Sequence, residues 1–303
     1  MTPLLFAVLA YEVFHIVKEA FMRRPPRAVC RAVVAVPTVR PWQIERFKGW
    51  VDYVVVDTDK DADLVRGLGF GVLVNKYGGK SGALATVLEE VEADVYVFVD
   101  DDAVPGPWIG DLKSAGCLGF ATAYRWVLDR FQNAFSLGGF DWMVWRRTRF
   151  LYGGAMAVPA YAKRGAVEAL KRCPVDDMAL TAVAEEIRVL PALVPMRGAE
   201  DAWEFFLRQA TAAKLGNAAL WALELAFYLL WTAAALLFPP LFLIQAARTA
   251  LRSRRALGRV DWLQVLMSPA ERPLQAFVFA WSLFRRCFKW HGREVCEACV
   301  LKS

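Results

Sequence analysis

The most constraining stretch of this sequence is a run of five apolar residues, Val95-Tyr96-Val97-Phe98-Val99, that ends in three consecutive aspartates, Asp100-Asp101-Asp102. An unbroken run of β-branched and aromatic residues suits a strand buried on both faces, the condition of a parallel sheet covered by helices. Three adjacent carboxylates repel one another and add little to folding. A divalent cation removes that repulsion, and hard oxygen ligands suit Mg2+ or Mn2+. Alternate side chains of an extended chain share a face, so Asp100 and Asp102 point together and Asp101 points away. The competing reading is a solvated acidic turn that caps the next helix.

The residues before this strand set its context. Ala32–Val36, Tyr53–Val56 and Gly71–Val74 read as three earlier strands. Helical stretches separate them: one from Pro41 to about Trp50, then Asp61–Gly67, then Ser81–Glu92, where Leu84, Val87, Leu88 and Val91 keep a helical period. Alternating strands and helices predict an α/β domain with a largely parallel sheet, and such sheets bind ligands at the carboxyl ends of their strands. Pro37-Thr38 follows the first strand, Asp57-Thr58-Asp59 the second and the aspartate triplet the fourth.

A chain of 303 residues accommodates one catalytic domain of about 200 residues and an appendix. The hydrophobic fraction of 57% and mean hydropathy of +0.30 are high for a soluble enzyme, and the excess lies at the two ends. A net charge of +6 fits an anionic phosphate ligand or an anionic lipid surface. No basic run is interleaved with stacking aromatics, so no nucleic-acid partner is expected. With only His15 and His291 in the chain, the chemistry must come from carboxylates. Cys30, Cys117, Cys173, Cys287, Cys296 and Cys299 are too scattered to read as a disulfide framework. Near the C-terminus, Cys287, His291, Cys296 and Cys299 raise a zinc site against free thiols or a local disulfide; only Cys296 and Cys299 have a familiar zinc-ligand separation.

The apolar ends predict three parts: residues 1–24 as a membrane-anchoring or interfacial helix, 25–214 as the catalytic domain, and 215–303 as a transmembrane or interfacial region with a tail. The first segment, Pro3 to about Phe21, is interrupted by Glu12, His15, Lys18 and Glu19, and could instead dock on the domain. Arg23, Arg24, Arg27 and Arg31 follow it and place the catalytic domain on the cytosolic face of the membrane. Ala218–Phe238 is long enough to span and holds one charge, Glu224, before Pro239-Pro240 breaks it. Arg248, Arg252, Arg254, Arg255 and Arg259 then form a basic stretch; if it is cytosolic, the region is a hairpin bent at the prolines, and otherwise a plain span. Leu274–Phe288 looks interfacial.

Taken in order, these motifs resemble the family-2 glycosyltransferases of the GT-A fold, a Rossmann-like nucleotide-sugar-binding domain, here with flanking membrane-associated helices. More narrowly the chain is similar to the ceramide glucosyltransferase group. The resemblance runs from about Arg31 to Leu215. It rests on Ala32–Pro37, Asp57, the basic-glycine segment Asn75–Leu84, Asp100 and Asp102 as the two DxD positions, the Gly153-Gly154-Ala155-Met156-Ala157 strand, and Asp176-Asp177 followed by Leu180. Lys289-Trp290-His291-Gly292-Arg293 resembles the group's short tail after the membrane region. Where the family often has QxxRW, Gln209 is kept and the arginine and tryptophan are missing, with Arg208 or Lys214 as possible substitutes.

The resemblance implies an inverting, metal-dependent transferase with a nucleotide-sugar donor, UDP-linked by preference, and a lipid acceptor. Asp177 is the implied base for the acceptor hydroxyl. Pro37, Thr38 and Asp57 face the nucleotide; Asp100 and Asp102 hold the cation; Gly153 and Gly154 lie under the donor sugar. Lys80, in competition with Lys76, supports the diphosphate. Trp142, Trp145, Asp176 and Gln209 are candidates on the acceptor side, with Trp142, Trp145, Arg146 and Arg147 equally suited to a membrane interface and to packing. Two rival functions stay open: transfer to a polyprenyl phosphate, which needs no base, and a non-catalytic module that binds nucleotide sugars.

Overall fold

A computed structural model describes residues 3–144, 149–290 and 293–296. Seven strands form one sheet: β1 (Ala32–Pro37), β2 (Tyr53–Val56), β3 (Gly71–Val74), β4 (Val95–Val99), β5 (Phe120–Val127), β6 (Ala155–Pro159) and β7 (Ile187–Met196), in the order β3-β2-β1-β4-β6-β5-β7. All neighbours are parallel except β6, which runs antiparallel to both β4 and β5. The fold is therefore mixed α/β with a mostly parallel sheet. The chain crosses from one half of the sheet to the other between β1 and β4, the place where such sheets open a crevice.

The period-two alternation of the strands explains the two cores. Val34, Val54, Val95, Val97 and Val99 face one side, where they meet Ala62 and Val65 of α2 (Asp59–Gly67) and Ile109 and Leu112 of α4 (Trp108–Gly116). Val33, Val55, Tyr96 and Phe98 face the other, against α3 (Gly79–Glu90), α6 (Lys163–Arg172) and α7 (Asp176–Val183). Every residue of β4 is buried, so its polar continuation at Asp100 emerges directly from the core.

The apolar ends pack into the molecule through buried charges as well as apolar faces. The first helix, α1 (Pro3–Ala20), packs on α5 (Arg130–Val144), α9 (Ala218–Leu237) and α10 (Leu241–Leu257). Glu12, His15 and Glu19, which interrupt its apolar run, are fully buried. Two arginines of the basic stretch leave the surface, while Arg254 and Arg259 stay exposed: Arg248 and Arg252 turn inward and, with Arg272 of α12 (Glu271–Ser282), meet Glu12, Glu19 and Asp141. Arg248 contacts Glu12 at 2.5 Å and Glu19 at 3.0 Å, and Arg252 and Arg272 reach Asp141 at 2.6 and 2.5 Å. These arginines are consumed by the fold and cannot report which side of a membrane α10 faces.

α9 is the one helix among the described residues long and apolar enough to cross a membrane, and one of its faces is buried, through Trp221, Glu224, Tyr228 and Trp231. It ends before Pro239-Pro240, where the sequence placed the break.

The cysteines correct one expectation. Cys30 is bonded to Cys117 across 87 residues, joining the segment before β1 to the end of α4, whereas the Cys287–Cys296 bond is the local disulfide that the sequence allowed. Closing a loop of that length stabilises by about 4–5 kcal/mol in the chain-entropy picture. Spacing alone missed the pair because it is long-range. The C-terminal bond staples a hairpin of β8 (Phe288–Trp290) and β9 (Arg293–Val295), whose Phe288 and Val295 are buried against the α6–α7 core. It also removes two of the four zinc candidates; His291 and Cys299 lie outside the described residues.

Candidate active site

The carboxyl ends of β3, β2, β1 and β4 put Asn75, Asp57, Pro37-Thr38 and Asp100 along one edge of the sheet, in that order. Asp57 is exposed and accepts a hydrogen bond from Asn75 Nδ2 at 2.7 Å. Asn75 Oδ1 in turn accepts from the backbone of Tyr77 and Gly78, which shapes the turn into α3.

The aspartate triplet divides as alternation requires. Asp101 turns to the β1 loop, where its carboxylate takes the Thr38 hydroxyl at 2.7 Å and Arg40 through both Nη2 (2.7 Å) and Nε (3.3 Å). It is thus spent on holding the loop. Asp100 turns the other way, to Lys80 Nζ at 2.6 Å. The same ammonium lies 2.9 Å from Asp176 and 3.1 Å from the Gly153 carbonyl oxygen. Lys80, in the first turn of α3, thereby ties the end of β4 to the start of α7. Burial opposes its charge, but the Asp100 and Asp176 carboxylates outweigh burial and hold it protonated well above the usual lysine range. Lys76 is excluded from this role, since it is paired with Glu90 on the surface.

Asp102 fits a cation ligand. Its Oδ1 is buried and accepts no hydrogen bond among the described residues. Burial, and then the neighbouring Asp101, push its carboxyl upward. Asp100 is pushed up to about 7 by burial, against the pull of Lys80. Two neighbouring carboxylates, Asp100 held by Lys80 and Asp102 with an unused oxygen, match the oxygen-donor chemistry of Mn2+ or Mg2+.

Gly153 permits this arrangement. A Cβ there would stand 2.7 Å from Asp176 Oδ2 and 3.1 Å from Lys80 Nζ. Gly153→Ala is expected to push the Lys80–Asp176 pair off the strand and to lower activity roughly 10²-fold, the scale of an ångström misplacement at a reacting centre, with an unchanged circular dichroism spectrum. Steady-state kinetics of the variant check it. Gly154 is confined in the same way by the Tyr152 ring.

The acidic pair at the start of α7 separates into two environments. Asp176 is wholly buried on Lys80. Asp177 is half-buried and reaches a cavity of about 530 Å3. Its Oδ1 accepts from the Met178 N–H at 2.8 Å. Burial, and then the charge of Asp176, push Asp177 up to about 7. Trp142 and Gln209 line the same cavity, whereas Trp145 lies outside the described residues.

Sequence reasoning missed Arg125. It lies near the end of β5, is buried against the Tyr124, Tyr152 and Phe205 rings, and donates to Gln209 Oε1 at 3.2 Å. It has no carboxylate partner within ion-pair distance among the described residues, yet it and Asp102 feel each other's charge. Its signal was present: an arginine inside the otherwise uncharged strand Phe120–Val127. Arg208 also faces this region, its guanidinium shifted downward by burial and then by Arg125. Lys214 does not, because it donates to the carbonyl oxygens of Ser282 and Arg285.

No family model matches the chain, and no curated sequence matches it. Solved structures similar to it include a mannosyltransferase from Pyrobaculum calidifontis in complex with GDP-Man and Mn2+, at 17% identity over 92% of this chain and 95% of that one, with a TM-score of 0.47. Glucosyl-3-phosphoglycerate synthase from Mycobacterium tuberculosis, in complex with Mn2+, UDP-Glc and phosphoglyceric acid, is 18% identical over 58% of this chain and 78% of that one, with a TM-score of 0.37. CMP:2-keto-3-deoxy-manno-octonic acid synthetase complexed with CTP is 12% identical over 55% and 90%, with a TM-score of 0.37.

Proposed function

We propose that the chain is an inverting glycosyltransferase of the GT-A fold that moves a sugar from a nucleotide diphosphate, a UDP-sugar by preference, to the hydroxyl of a membrane lipid. The observation that carries this reading is Lys80. One buried ammonium joins the carboxylate that ends β4 to the acidic pair that opens α7, and so brings a cation site and a candidate base to one place.

Asp102 and Asp100 would hold the divalent cation, which when bound neutralises charge on the leaving diphosphate. Pro37, Thr38 and Asp57 line the nucleotide side. Arg125 supplies the positive charge that the absent QxxRW arginine would have given, from a strand instead of a helix. Asp177 removes the acceptor proton as the oxygen attacks the anomeric carbon opposite the leaving group, which inverts the configuration. Asp177 must be ionised for this. Its elevated pKa therefore predicts that kcat, at saturating donor and acceptor, rises about tenfold per pH unit below about 7 and levels above it. Nucleotide diphosphate release from a panel of nucleotide sugars with Mn2+ and extracted lipids, followed from pH 5 to 8, tests this; a flat profile counts against the base.

Membrane attachment is supported by the apolar side chains left outside the fold, among them Phe6 of α1, Leu236 and Leu237 of α9, Leu243 of α10 and Phe284 beyond α12. Arg23, Arg24, Arg27 and Arg31 carry the cytosolic placement. The Cys30–Cys117 and Cys287–Cys296 disulfides require surroundings in which thiols stay oxidised. The ceramide glucosyltransferase likeness rests in part on the tail at Lys289–Arg293, of which His291 and Gly292 lie outside the described residues. A phosphate acceptor is the second reading, favoured by Arg125 in the cavity wall.

A further inference from the structure

The cavity beside Asp177 contains a second carboxyl group. α9 is apolar over twenty residues and carries one charged residue, Glu224, which is buried and lines this cavity. Among the described residues Glu224 has no ion-pair partner. It accepts one hydrogen bond, from the Tyr228 hydroxyl at 3.1 Å. The contrast with the neighbouring helices is informative: Glu12, Glu19 and Asp141 are each met by arginine. A carboxyl group taken out of water without a cation is costly, and an apolar residue would pack α9 at least as well. Folding therefore gives no reason for Glu224.

The wall around it is specific. Gly138 of α5 lets the Tyr228 hydroxyl come close, since a Cβ there would stand 2.6 Å from that oxygen. Trp142, Trp221 and Phe279 supply flat apolar faces, and Gln209 and Asn217 supply amides. Acceptor oxygens beside aromatic faces suit a molecule with several hydroxyl groups on a carbon ring or chain. The hydroxyls donate to the carboxyl and amide oxygens, and the C–H faces lie on the rings. A phosphate dianion, the main form of a phosphate monoester near neutral pH, has no hydroxyl to donate to these oxygens.

We propose that Glu224, supported by Tyr228, binds a hydroxyl of the acceptor other than the one that reacts, so that the acceptor presents a polyol head group, a sugar or glycerol unit, to a cavity shared with Asp177. This rests on the glycosyl-transfer reading above and names its acceptor class. Glu224 is a specificity residue here, not a participant in bond making.

The test is ligand binding to the full chain, read by ligand-observed NMR with phenyl β-glucoside and phenyl phosphate as probes. The wild type is expected to bind the glucoside more tightly than the phosphate. Glu224→Leu, an apolar replacement that keeps α9 packed, is expected to weaken glucoside binding roughly tenfold, the scale of one lost hydrogen bond. Tyr228→Phe, which removes one oxygen and no volume, weakens it less and serves if the first variant shows an altered thermal midpoint. Tighter binding of the phosphate, no binding of the glucoside, or unchanged affinity in a folded variant overturns the proposal. Because binding is read without turnover, glucoside binding in a chain that never transfers sugar counts against the transferase reading alone. Transfer with Glu224 dispensable counts against this proposal alone.

Discussion

Asp177→Asn is expected to lower sugar transfer by about 10²–10⁴-fold, the usual contribution of a general base, while donor affinity stays nearly unchanged. The asparagine keeps the shape and can still accept the Met178 N–H that Asp177 Oδ1 takes at 2.8 Å. It cannot take a proton from the acceptor. Asp102→Asn is expected to behave differently, weakening donor and cation together, because its effect extends to the bound ground state. The separation matters because Asp177 lies in the first turn of α7, where a carboxylate also favours the helix dipole. If that were its whole role, asparagine would serve almost as well, and transfer would stay above about a tenth of the wild-type rate. Such retention would shift the account to an acceptor that arrives already ionised, a polyprenyl phosphate. Single-turnover measurement of transfer, with donor affinity determined separately, decides between them.

Asp141→Leu is expected to destabilise the protein by about 3–5 kcal/mol, the scale of breaking a buried ion pair by removing one partner. Asp141 of α5 accepts from Arg248, Arg252 and Arg272, all fully buried. Burial alone would raise its carboxyl; the three guanidiniums outweigh burial and hold it well below the usual carboxylate range. Its removal leaves three guanidiniums facing Glu12 and Glu19. Since α1 enters the network through those two glutamates, the variant should also expose α1, with faster proteolysis within residues 3–20. An unchanged denaturation midpoint would show that α1 is held by its apolar contacts alone.

The strand-end half of the candidate site was legible because each strand there announces itself in consecutive residues. Tyr53–Val56, Gly71–Val74 and Val95–Val99 are the observed strands to the residue, and the polar groups that follow them share one sheet edge by topology. The cavity beside Asp177 was not legible in the same way, because its members come from distant segments. Arg125 meets Gln209 across 84 positions, and Glu224 shares a cavity with Asp177 although it reads as a lone charge in an apolar run. The same physics applies to the ends. Glu12, Glu19, Arg248 and Arg252 look like interruptions of membrane segments when read singly, and only their pairing shows that the charges cancel inside the protein. Cys30 and Cys117 repeat the lesson, since 87 residues of separation give no local signal.

The central claim, a cation-dependent nucleotide diphosphate site at the end of β4, is tested most directly by calorimetric titration of UDP into the wild type and Asp102→Ala, each with and without Mn2+. The account predicts binding to the wild type that strengthens at least tenfold with Mn2+, and no gain from Mn2+ once Asp102 is removed. Equal affinity in all four titrations would contradict it.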